Sequence, residues 1–225
     1  PEGHPLASGQ VELKYMTARE EDILTSANLI KQGKVIDTLI NALLVTPVKY
    51  DEILVGDKNA IMIAARILGY GKDYDIDYNC PKCGELNKLT IDLTGLNNKE
   101  IDFDKFEKGS NEFEFELPLS KTTVTWKFMD GKSEKGLESE LKGLAKFASK
   151  EGPGKDLTTR LKHQLVAVDG NRDGKVIREF VDNDLFAQDS LALRTHMRES
   201  APDVITAFNF ECESCGYTET VDMPI

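Results

Sequence analysis

"DYNCPKCG" (residues 77–84) and "NFECESCG" (residues 209–216) decide how this chain folds back on itself. Each holds two cysteines two residues apart, followed at once by a glycine, and together they contain all four cysteines of the 225-residue sequence. A Cys-x-x-Cys turn bends the backbone so that both sulfurs reach one ion, and zinc takes four such donors in a tetrahedron. Gly84 and Gly216 permit the positive φ that points nearby amides at the sulfurs. A secreted disulfide scaffold is shorter and richer in cysteine, and a thioredoxin-like motif opens a helix in a βαβ setting. Neither pattern is present. Cys80, Cys83, Cys212 and Cys215 therefore read as the ligands of one shared Zn2+ site, although rubredoxin-like iron uses the same donors. Four protein thiolates leave no open position for water or substrate, so the site is expected to be structural.

The flanks extend this reading. "YDIDY" precedes the first pair and "NKLTIDL" follows it; "VITAFNFE" precedes the second and "YTETVDM" follows it. Each pair is thus expected at the tip of a strand–knuckle–strand unit, as in a zinc ribbon. The expected fold class is α+β: a zinc-ribbon-like clamp of two such units enclosing a mixed helix and hairpin insertion. Three segments follow from it. Residues 1–73 form an N-terminal strand and helical region, 74–92 with 205–225 the zinc-clamped β unit, and 93–204 the insertion.

Local signals fill in the rest. "VELKYM" (11–16) reads as a strand running into a helix, opened by the capping box of Thr17 and Glu20. Apolar residues at 35, 36, 39, 40, 43 and 44 predict a helix ending before Pro47. A third helix is predicted over about 58–68, stopped by Gly69 and Gly71. "NEFEFELPLSKTTVTWKFM" alternates on both sides of "LPLSKT" and predicts an antiparallel hairpin. "SEKGLESELKGLAKFASK" is an amphipathic helix, "EGPG" (151–154) a loop, and "DLTTRLKHQLVAVDG" starts helical and ends as a strand. "DSLALRTHMRESAP" is a helix with Asp189 or Ser190 as N-cap.

Composition narrows the function classes. The chain is 40% hydrophobic and 30% charged, as in ordinary globular proteins. Apolar runs are too short for a membrane span, and the first residues show no signal-peptide pattern, which points to a reducing cytoplasm. With 39 acidic against 28 basic side chains the formal charge is −11, so the overall field repels phosphate backbones. "DGNRDGKVIREF" (169–180) imitates a calcium loop, but its twelfth position is Phe180 where a bidentate glutamate is needed. Its flanks "QLVAV" and "KVIREFV" look like strands rather than the helices of an EF-hand, and a hairpin turn rich in Asn, Asp and Gly explains the stretch. His4, His163 and His196 have no ligand-like spacing to the cysteines, and no nucleophile pairs with His196. "GYGKD" lacks the rest of a phosphate loop. No catalytic constellation is found, no small-molecule substrate is implied, and the protein is expected not to be an enzyme.

A wider combination accompanies the knuckles: "GQVELKYMTAREEDIL", then "YDEILVGDKNAIMIAARILGYGKDYDIDYNCPKCG", and finally "FVDNDLFAQDSLALRTHMRESAPDVITAFNFECESCGYTETVDMPI". This ordering resembles the baseplate hub and hub-assembly protein family of T-even-like contractile-tailed bacteriophages. The matching positions are Arg66, Tyr70, Gly71, Cys80, Cys83, Asp189, Ser190, Leu193, Arg194, Pro202, Cys212 and Cys215. Members often run on into an aromatic "FFWP"-like tail where this sequence reads "VDMPI", so no docking role is carried over to that end. The resemblance implies a structural or chaperone-like assembly protein of a tail baseplate hub, made in the host cytoplasm and partnered by other tail and baseplate proteins. It implies no reaction; the acidic charge and the short apolar runs are what set aside nucleic acid and membrane as partners. The alternative from the knuckles alone is a zinc-ribbon protein that binds nucleic acid or serves transcription. Its hairpins would be basic or aromatic, whereas these carry Asp75, Asp77, Glu85, Glu211, Glu213 and Glu219 against Lys82 and Lys88.

Overall fold

A computed structural model describes residues 6, 8–102, 107, 109–147 and 155–223. The mixture of helices and antiparallel strand pairs is that of an α+β protein. The chain divides into two compact units, one of residues 1–10, 47–55 and 101–201, the other of 11–46, 56–100 and 202–225. These bounds differ from the three segments read from the sequence. "EGPG" and His4 lie outside the described residues.

In the second unit, helix α1 (Ala18–Thr25) starts at Thr17, as expected. The Glu20 carboxylate accepts from the Thr17 N–H at 2.9 Å and from its hydroxyl at 2.6 Å, and Lys14 adds a third donor at 3.0 Å. The Thr17 hydroxyl first, then Lys14, hold Glu20 down at a pKa of about 2. Helices α2 (Ala27–Gln32) and α3 (Val35–Leu43) follow; Leu39 and Leu43 of α3 pack with Ala65 of α4 (Val55–Tyr70). The strand expected at 11–16 is reduced to a bridge between Leu13 and Leu44. Among the described residues three backbone bonds hold it, from Lys14 to Leu43, Val45 to Glu12 and Thr46 to Glu12, and no strand there continues the ladder.

Helix α4 is longer than expected because Gly69 does not stop it. A Cβ there would lie 2.1 Å from Met16 Cε, so this glycine allows close approach, and Gly71, at φ +85°, ends the helix. Arg66 covers the exposed end by donating to the carbonyls of Gly71 and Asp73 at 3.2 and 3.4 Å. Past it come β1 (Asp73–Asn79) and β2 (Leu86–Asp92), paired antiparallel.

The other unit has one aromatic core. Strands β4 (Phe113–Glu116), β5 (Thr123–Trp126) and β6 (Leu165–Val168) form an antiparallel sheet, the short β3 (Asn97–Asn98) belonging to the second unit. The predicted hairpin is β4–β5, with Phe113 opposite Trp126. Helices α5 (Gly131–Phe147), α6 (Asp156–Gln164), α7 (Gly174–Glu179) and α8 (Ala187–Ser200) belong to the same unit. Trp126 is fully buried, with Phe113 and Phe128 each 4.9 Å away, in a cluster with Leu117, Leu161 and Leu193. Two expectations need correction. "KVIREFV" is α7 continued by a π-turn over Phe180–Asp184, not a strand; Ile177, Phe180 and Val181 bury the inner side of one helical turn. Asp189 is no N-cap, that position being Phe186. Its buried carboxylate instead accepts from the N–H groups of Leu119 (2.7 Å) and Ser120 (3.0 Å) at the tip of the β4–β5 hairpin. Burial opposes its ionisation, but these donors win and hold its pKa below the ordinary range.

Candidate metal centre

The four cysteines meet. Their sulfurs all lie within 4.8 Å of one another, although Cys80 and Cys215 are 135 positions apart in the chain. Cys80 follows the last residue of β1, and Cys212 follows the last residue of β8 (Ala207–Glu211), which pairs with β9 (Thr218–Asp222). The two turns are built alike. In the first, Gly84 N–H donates to Cys80 O at 2.8 Å and Cys80 N–H to Glu85 O at 2.9 Å; in the second, Gly216 donates to Cys212 O at 2.9 Å and Cys212 to Tyr217 O at 2.8 Å. Gly84 and Gly216 take φ of +76° and +65°, the left-handed conformation expected of them.

The two hairpins are separate two-stranded sheets rather than one clamped sheet. Between them in sequence, Asn97–Asn98 pairs with β7 (Val204–Ile205). Behind the sulfurs, Tyr78 and Phe210 meet edge to face with ring centroids 4.7 Å apart, and Phe210, Cys80 and Cys212 are buried. Each aromatic ring stands two residues before the first cysteine of its own turn.

The spacing of the sulfurs fits a metal. Cys80 to Cys215 is 3.7 Å and Cys83 to Cys212 is 3.6 Å. A tetrahedron with metal–sulfur bonds of about 2.3 Å has edges of about 3.8 Å, whereas a disulfide needs about 2.0 Å. Cys212 and Cys83 are pushed in opposite directions. Burial opposes ionisation of Cys212, but the N–H groups of Cys215 and Ser214 and the neighbouring thiols outweigh it, lowering its pKa to about 6. At Cys83 the Glu85 N–H favours the thiolate, yet loss of water and the other three thiols push the pKa up to about 12.

Three further residues brace the centre, and a scan for ligand motifs passes over them. Asn87 is buried, and its amide reaches Glu213, Glu85 and Cys212. Tyr78 donates its hydroxyl to Glu219 at 2.9 Å. Asn87 and Glu219 stand four residues past Cys83 and Cys215. Laying the two Cys-x-x-Cys segments over one another would have exposed that shared offset.

The other positions singled out in the sequence serve packing. In the calcium-like loop, Asp169, Asn171 and Asp173 spend side-chain oxygens on the N–H groups of Thr123, Asp173 and Lys175. His196 stacks on Phe115 at 4.5 Å, and His163 pairs with Glu140 at 2.9 Å. Leu193 is fully buried, Arg194 donates to the Ser190 carbonyl, and the Pro202 carbonyl fills the space beside Gly56. Among the described residues no helix is long and apolar enough to cross a membrane.

The family model described as T4 bacteriophage base plate protein matches residues 4–224. No curated protein matches the chain, and no solved structure does.

Proposed function

The chain belongs to the T4 bacteriophage base plate protein family, and from that premise we propose that it is a structural or assembly protein of a contractile-tail baseplate hub whose fold is closed by one zinc ion. The observation that carries the zinc half is the convergence of four sulfurs, all within 4.8 Å of one another, from two turns far apart in sequence. Cys80, Cys83, Cys212 and Cys215 would hold the ion, which when bound supplies folding free energy and no reaction, since thiolates fill all four positions. Membership in a family of baseplate proteins supports association with other baseplate proteins, location in the virion tail and the absence of an enzymatic role. The chain would be made in the host cytoplasm and meet its partners there.

The solvent faces of the hairpins weigh against the nucleic-acid alternative. Asp73, Asp75, Asp77, Glu211 and Asp222 are exposed there, and phosphate would meet like charge.

Two measurements test the two halves. Metal analysis of the purified protein should give one zinc per chain, lost in Cys212→Ser; a metal-free folded protein would sink the zinc reading. Interrupting the gene in its phage should leave filled heads without complete baseplates. Normal tails from that infection would remove the assembly role.

A further inference from the structure

The two turns repeat each other, and their departure from repetition is informative. Asn87 and Glu219 occupy the same offset, yet only one of them reaches a sulfur. The Asn87 Nδ2 donates to Glu85 O at 3.0 Å and to Cys212 Sγ at 3.8 Å, while its Oδ1 accepts from the Glu213 N–H at 3.2 Å. The amide orientation is fixed by this set, because flipping it would set Oδ1 against the Glu85 carbonyl and Nδ2 against an N–H. Glu85 O also accepts the Cys80 N–H, so Asn87 joins the first turn to the sulfur and backbone of the second. Glu219 is a carboxylate and would repel a thiolate; it accepts the Tyr78 hydroxyl instead. Cys212 is thereby the one cysteine that receives a side-chain N–H among the described residues.

We propose that Asn87 is a positioning residue of the metal centre: its buried amide orients Cys212 and withdraws charge from its sulfur, making the four ligands inequivalent. The Tyr78–Glu219 bond braces the same two hairpins without touching a sulfur. The proposal rests on the four-thiolate reading above and concerns how that site is held together. A thiolate that accepts an N–H donates less charge to its metal, and groups supporting a ligand in this way typically govern metal affinity by roughly 10–100-fold.

The test compares Asn87→Asp, Tyr78→Phe and the parent protein. Asn87→Asp keeps the shape and the acceptor for Glu213 but replaces the donor to sulfur with negative charge. Zinc transfer to a chelator should be about 10–100-fold faster than in the parent. In the cobalt-substituted protein the sulfur-to-metal charge-transfer band should move to lower energy. Tyr78→Phe should leave both unchanged, and Asn87→His, which restores an N–H, should recover part of the loss. Parent protein with one metal, and Asn87→Asp identical to it in chelator rate and spectrum, overturns the role of Asn87 alone. Equal losses in Asn87→Asp and Tyr78→Phe with no spectral change overturn it too, leaving a purely mechanical brace. Parent protein that carries no metal overturns the centre itself and this role with it.

Discussion

The two units solve the same problem with different means. The unit around Trp126 buries eleven side chains in one continuous cluster under a three-stranded sheet. Among the described residues the unit around the cysteines shows small clusters of three buried residues, and its strands stand in pairs. Isolated two-stranded ladders are marginal in water, and separate small cores do not sum to one large one. The first unit therefore stands on apolar burial, and the second would gain most from the cross-link that its thiols could form around a metal.

The largest expected effect should separate the units. A strong chelator, or Cys212→Ser, should abolish the ordered β1–β2 and β8–β9 hairpins as seen by amide hydrogen exchange. The only tryptophan, Trp126, sits in the other core, so its fluorescence should stay that of a buried indole. Emission that shifts red together with the hairpins would break the contrast. Conversely, Leu193→Ala in the aromatic core should destabilise that unit by about 2–5 kcal/mol and leave the metal content unchanged.

Next come two glycines, one in each unit. A Cβ at Gly131 would lie 2.3 Å from the Tyr50 carbonyl oxygen and one at Gly56 would lie 1.9 Å from that of Pro202. Both obstacles are backbone, so Gly131→Ala and Gly56→Ala should each cost about 1–3 kcal/mol. Gly56→Ala should also speed zinc loss, while Gly131→Ala should not. Gly69→Ala meets the Met16 side chain rather than backbone, most closely its flexible Cε at 2.1 Å, and should be milder than either.

Acid should act on the units in sequence. Thiolates must take up protons to release a metal, so a zinc bound there should leave first as pH falls. In the aromatic unit Glu140 accepts two bonds from Arg178, at 2.7 and 2.9 Å, and one from His163, and the Arg178 contact first of all lowers its pKa from 4.5 to about 2. A carboxylate whose folded pKa is depressed contributes stability that is complete above 4.5 and fades as pH falls through about 2. The smallest effect is expected here. Glu140→Gln should flatten the acid limb of that unit's melting temperature while leaving the pH of zinc release unmoved.

Much of this contrast was legible in the sequence, and the parts that were not share a cause. The Thr17–Glu20 box, the 35–44 periodicity and the alternating "NEFEFE" hairpin are local patterns, and each appears as an element where expected. The cysteine arithmetic also predicted the long-range convergence, because four donors in two turns have few other uses. Gly69 and Asp189 were misread as a stop and a cap because their partners, Met16 and the 119–120 turn, are distant in sequence. "KVIREFV" was misread for a different reason: its β-branched start masks the helical spacing of Ile177, Phe180 and Val181. Asn87 escaped notice because a lone asparagine carries no pattern until the two turns are laid over each other.

The distance between the two Cys-x-x-Cys turns also sets an order of events at the ribosome. With Cys80 and Cys215 separated by 135 positions, the first two thiols emerge roughly 7–27 s before the last, at about 5–20 residues per second. Throughout that interval the nascent chain carries an open pair of thiols, while residues 101–201 of the other unit follow from the tunnel and can already fold. A metal that closes the ring would do so last, once Cys212 and Cys215 are out, and a chain cut short before Cys212 could not close it.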